Sequence, residues 1–124
     1  MKYFNNIKMY PSWEEEYRFH EKLDTLPKVD KKTREDIIRS FQTKQVIVFI
    51  GIISMDSTNI STFQEYLEFI TLTCDSYTVQ RALQDGLIQA ITCNQILKGK
   101  ILLKYGAQIG DLILFYPDIV KKII

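Results

Sequence analysis

Histidine occurs once in the 124 residues, cysteine twice and proline three times. With His20 the sole imidazole, and Cys74 and Cys93 far outside any C-x-x-C spacing, the sequence offers no zinc-ligand set. Both thiols are expected to be reduced and buried, packing as small apolar residues. The five glycines form no collagen-like period, and no G-x-S-x-G elbow or complete phosphate loop is present. Gly106-Ala-Gln-Ile-Gly110 lacks the Lys-Ser/Thr ending of such a loop, so it is expected to be a helix break or turn. Charge of one sign is also missing. Sixteen Lys/Arg against fifteen Asp/Glu leave a net +1, without the basic excess by which nucleic-acid binders displace counterions. The longest apolar run, Val46 to Ile53, is eight residues, where about 20 are needed to cross a bilayer. Met1 to Met9 has neither the apolar core nor the cleavage site of a signal peptide, so a cytoplasmic location is expected. Alanine appears three times and isoleucine eighteen times. That bias fits a low-GC coding sequence, in which an isoleucine at a helical position need not mark a strand.

What is present is enough for a folded core. Apolar residues make up 46% of the chain and aromatics 12%, consistent with a single domain over 1–124. Ten basic and eight acidic residues fall in 1–44, against six and seven in 45–124. The first third is therefore expected to be a solvated shell around a core formed by the rest.

Helix signals dominate. Tyr10-Pro11-Ser12 predicts a turn into a helix, with Ser12 as N-cap, Glu15 completing a capping box, and Pro27 closing the segment. Asp30 predicts a second N-cap. Ile37, Phe41, Gln45, Val48, Ile52 and Met55 continue at spacings of three and four, which favours one long helix. A central strand over 45–54 is the alternative, because a short apolar run does not distinguish the two. Ser61 with Gln64 predicts the next helix start, and Asp75-Ser76 the one after. From Tyr77 to Leu97 the period is clearest: Val79, Leu83, Leu87 and Ile91 form one stripe, and Ala82, Gly86, Ala90 and Cys93 a second stripe of small residues. A glycine inside a helix costs about 1 kcal/mol relative to alanine, so Gly86 is expected to serve a close helix crossing at the centre of the fold. Lys98-Gly99-Lys100 is expected to end this helix. Beyond it, a helix over 101–116 competes with a hairpin having a strand at 111–116, and a short helix closes the chain. The fold expected is mostly α, a compact helical bundle of about five helices, with short strands at 45–54 and 111–116 as the alternative.

Few residues point to chemistry. Glu16, His20 and Asp24 lie four apart, as a proton-transfer group would require, but the spacing fits an exposed, ion-paired helix face better. Lys28, Lys31, Lys32 and Arg34, and also Lys98, Lys100 and Lys104, form basic clusters expected to be solubilising surface. The first helix is more informative. From Trp13 to Asp24 it holds Glu14, Glu15, Glu16, Glu21 and Asp24 against Arg18 and Lys22, a local charge of −3. It also carries Trp13, Tyr17 and Phe19, aromatics of the kind enriched at interface hot spots. Such a helix can anchor itself to the core by its rings, or dock on a basic partner. The expected partner-binding set is Trp13, Glu14, Glu15, Glu16, Tyr17, Glu21 and Asp24.

No catalytic residue, metal or cofactor is expected. The expected function is a small non-catalytic protein-interaction domain, specifically a cytosolic immunity or inhibitor protein that neutralises a toxin with a basic surface. A viral or phage helical bundle that binds a host protein, and a carrier of a small apolar ligand, are the alternatives. Neither nucleic acid nor a membrane is an expected partner.

Overall fold

The computed structural model describes residues 12–124, so Tyr10 and Pro11 of the expected turn, and Met1 to Met9, lie outside the described residues. Ser12 caps α1 (Trp13–Thr25), its hydroxyl accepting from the Glu15 N–H at 3.3 Å. Glu14, Glu15 and Glu16 occupy the first turn, where the helix dipole favours carboxylates. Pro27 lies in a 3-10 turn, Leu26–Lys28, as its missing N–H requires. Asp30 caps α2 (Lys31–Ser40), accepting from the Thr33 N–H at 2.8 Å.

The expected long helix is two helices. Phe41 and Gln42 are extended (ψ 145° and 159°), and α3 (Thr43–Met55) starts afresh beyond them. The Gln42 N–H donates to Gln45 Oε1 at 3.1 Å. Released from helical geometry, Phe41 brings its ring edge-on to both Phe19 and Phe49, at centroid distances of 5.2 and 6.0 Å. The apolar spacing carries on across the break, so the pattern alone hides it. The strand alternative at 45–54 is helix, with Val46, Phe49, Ile50 and Ile53 all buried.

The next helix, α4 (Ile60–Thr73), is capped by Asn59, which accepts from the Thr62 N–H at 2.8 Å; the expected cap, Ser61, already lies inside the helix. Asp75 caps α5 (Ser76–Thr92) as expected, accepting from the Thr78 N–H at 2.7 Å. This helix stops at Thr92, short of Leu97. Asn94 takes a left-handed conformation (φ 58°), with Gln95 N–H donating to the Ala90 carbonyl at 2.8 Å and Asn94 N–H to that of Ile91 at 3.2 Å. This is the paired closure of a Schellman end, with asparagine where glycine is commoner. Lys98-Gly99-Lys100 does not break the chain but sits inside α6 (Ile96–Lys104). A Cβ on Gly99 would stand 3.1 Å from Ile123, so this position lets α8 (Pro117–Ile123) lie against α6. Gly106, at φ 119°, closes α6 with the Ala107 N–H donating to the Leu102 carbonyl at 3.0 Å. Neither a continuous helix over 101–116 nor the alternative strand at 111–116 forms: after α6 the chain makes one further helical turn, α7 (Leu112–Phe115).

Among the described residues there are thus eight α-helices and one 3-10 turn, with no strand, in place of about five helices. The small-residue stripe does what its composition implies. A Cβ on Gly86 would lie 2.7 Å from Ser54 Oγ and 3.1 Å from Ile50 Cγ2, so the missing side chain lets α5 lie close against α3 there. Ala82 and Ala90 are fully buried in the same face. Cys93 is the exception: it is exposed beyond the end of α5, while Cys74 is half-buried, and both are free thiols. Edge-on aromatic contacts continue the core from Phe49 to Tyr66 (5.0 Å) and Phe69 (6.3 Å).

Candidate functional site

Two sides of α1 do different work. Phe19 is buried, as is Leu26 at the C-cap, and Leu23 packs against the core. Trp13, Tyr17, Glu21 and Asp24 recur at intervals of four, four and three, which places them on one face away from Phe19. Trp13 is 77% exposed and Tyr17 62%, so Phe19 and Leu26 anchor the helix while these two rings stand in water. Glu14, Glu21 and Asp24 are exposed. Glu15 and Glu16 are half-buried at the flank: Gln42 Nε2 donates to Glu15 Oε2 at 3.5 Å, and Glu16 Oε2 lies 3.8 Å from His20 Nε2. Of the seven expected partner-binding residues, five therefore share an outward face and two border it. The Glu16–His20 pair is largely solvated (43% and 61% exposed), and Asp24 does not join it, so the three groups form no enclosed site.

The basic clusters are not all surface. Lys28, Lys31 and Lys32 are exposed, but Arg34 forms an ion pair with Glu65, its guanidinium lying 5.9 and 6.0 Å from the Tyr66 and Phe69 ring centres. Lys98 is 2% exposed. Its ammonium donates to the Ile53 and Asp56 carbonyls at 2.7 and 2.8 Å, lies 3.6 Å from the Asp56 carboxylate, and sits 5.4 Å from the Phe63 ring centre. Burial pulls its pKa below the usual lysine value, against the opposing pull of Asp56. Expected as solubilising surface, this lysine is instead buried. The stretch Ile96–Leu103 carries two charges, Lys98 and Lys100, and of these only Lys98 is buried.

Beside α1 lies a cavity of about 280 Å³, entered between α1, α3 and α4. Leu23, Phe49, Ile52, Ile53 and Tyr66 form its walls, and His20, Asp24, Asp56 and Thr58 its polar edge. Burial raises the Tyr66 phenol above its ordinary pKa, with Arg34 pulling the other way. Gly106 to Gly110 is a tethered turn: Gln84 Nε2 donates to the Gln108 carbonyl at 2.8 Å, and the Gln108 N–H donates back to Gln84 Oε1 at 3.1 Å.

Among the described residues no group of three or more His, Cys, Asp or Glu side chains could hold a metal ion, and no helix is long and apolar enough to cross a membrane. Comparison with protein-family models, curated proteins and solved structures gives no match.

Proposed function

We propose that the protein acts by binding another protein through the outward face of α1, without chemistry of its own, as a cytosolic immunity or inhibitor protein does when it blocks a toxin with a basic surface. One observation carries this reading. Two large aromatic rings, Trp13 and Tyr17, stand mostly in water on the same face as Glu14, Glu21 and Asp24, while other side chains hold the helix to the core. Rings left outside a well-filled core add no folding stability, and at an interface they rank among the strongest anchors. The carboxylates around them give the face a sign, so the partner it fits is basic.

The test compares two baits, the native protein and the Trp13→Ala/Tyr17→Ala double variant, in capture from the host extract. Both side chains are exposed, so the variant should keep its helical circular dichroism. A hot-spot pair contributes about 2 kcal/mol or more, so a partner held by the native bait should bind the variant at least about thirtyfold more weakly. Equal capture by both baits would remove α1 from the interface and overturn the reading.

A further inference from the structure

We infer that the cavity between α1, α3 and α4 is a binding site for a small organic cation, an ammonium or guanidinium group carried on a short apolar stem. This does not rest on the docking role proposed for α1. The chemistry of the walls sets the stem. Leu23, Phe49, Ile52 and Ile53 come from α1 and α3 and line the space with apolar surface, as an apolar stem requires. The edge sets the head group. Among the described residues, Asp24 and Asp56 are the two carboxylates that line it, and no lysine or arginine does. Asp56 is partly answered from behind: its Oδ1 accepts from the Thr58 N–H at 2.8 Å and faces the buried Lys98 at 3.6 Å. Asp24 has no ion pair among the described residues. An anionic ligand would bring charge against two carboxylates, and a neutral one would leave Asp24 to water alone. A cation on a stem satisfies edge and wall together. Tyr66 adds to the fit. It lines the cavity and is 2% exposed. Its ring and that of Phe49, edge-on at 5.0 Å, give the wall the aromatic surface that organic cations favour.

Nuclear magnetic resonance titration of the purified protein tests this with n-butylguanidinium and n-butylammonium, using n-butyrate and 1-butanol as controls of matched stem. The expected result is saturable shifts at Leu23, Ile52, Ile53 and Thr58 with a dissociation constant on the order of 1 mM, as suits so few atoms. Butyrate should give none, and butanol should bind about tenfold more weakly or less. Asp24→Asn removes a charge with no ion pair among the described residues, so the spectrum should stay native while cation binding weakens about three- to tenfold. Ile52→Phe, which fills the space, should abolish it. N-acetyl-arginine methylamide separates the two sources of this chemistry: affinity equal to that of n-butylguanidinium assigns the cavity to a protein side chain, and a marked loss assigns it to a free amine. No cation-dependent shifts in the native protein, equal binding of butanol, or unchanged affinity in Asp24→Asn would each overturn the proposal.

Discussion

Lys98 leaves 2% of its surface to water, and the end of α3 is what makes that tolerable. The last carbonyls of a helix have no intrahelical donor. Here the Lys98 ammonium reaches across from α6 to the carbonyls of Ile53 and Asp56, with the Asp56 carboxylate close by and the Phe63 ring beneath it. Glycine or asparagine could have closed α3 locally; a side chain from a helix 42 residues on closes it instead, so the end of α3 is fixed only once α6 has docked. Lys98→Met keeps the length of the side chain and removes the donor, leaving the buried Ile53 carbonyl without it and the Asp56 carbonyl with Gln95 alone. A loss of about 2–3 kcal/mol is expected, measured as a fall in the urea midpoint at constant slope. A stability equal to or above that of the native protein would show that the ammonium is not what holds the end of α3. Arginine should not substitute, because its planar fork does not fit a site shaped for a compact ammonium.

At the scale of helices, the crossing of α3 on α5 sets how closely the core can pack. Ser54 Oγ donates to the Ile50 carbonyl at 2.6 Å, which holds it against the surface of its own helix, directly beneath Gly86. A methyl on Gly86 would meet that oxygen at 2.7 Å and Ile50 Cγ2 at 3.1 Å. Gly86→Ala should therefore destabilise by about 1–3 kcal/mol despite the better helix propensity of alanine. Ser54→Ala removes the nearer atom, so in the double variant the two effects should fall short of their sum, with a coupling of about 0.5 kcal/mol or more. Additive effects would mean that the helices do not meet at these two residues. This crossing was legible in the sequence because a glycine inside a helical stripe weakens the helix, a loss that close approach of a second helix offsets. The N-caps at Ser12, Asp30 and Asp75 were legible on similar grounds: a short polar side chain before a periodic segment has one good use. The break at Phe41–Gln42 was not, because the apolar spacing runs through it unchanged and glutamine is an uncommon cap. Lys98-Gly99-Lys100 misled in the other direction, since its glycine answers to Ile123 across a helix contact and not to a turn. The outward face of α1 was visible as a composition, but which ring anchors and which stands free depends on where the core lies. The cavity beside it draws its walls from separate elements, and no local pattern announces that.

Over the whole molecule, charge is distributed far less evenly than the net +1 implies. Trp13 to Asp24 carries −3, which leaves +4 on the remainder of the chain. The α1 end of the described chain therefore presents an acidic face to an approaching partner, and at 0.1 M salt that field reaches about 10 Å. Charge and aromatic surface should then govern different steps of association. Glu21 and Asp24 are exposed and form no ion pair among the described residues, so Glu21→Lys with Asp24→Lys should leave the fold intact and reverse the sign of this end. Against a basic partner at low salt, association should slow by about tenfold or more, with dissociation changed much less. Raising the salt should close the gap between variant and native protein, because screening removes the steering that the native face provides. Loss of the rings, by contrast, should act mainly on dissociation and persist at high salt. Stopped-flow association at two ionic strengths separates these contributions. A charge-reversed variant that associates as fast as the native protein at low salt would show that the acidic end faces away from the encounter, and the binding face would then have to be sought elsewhere on the surface.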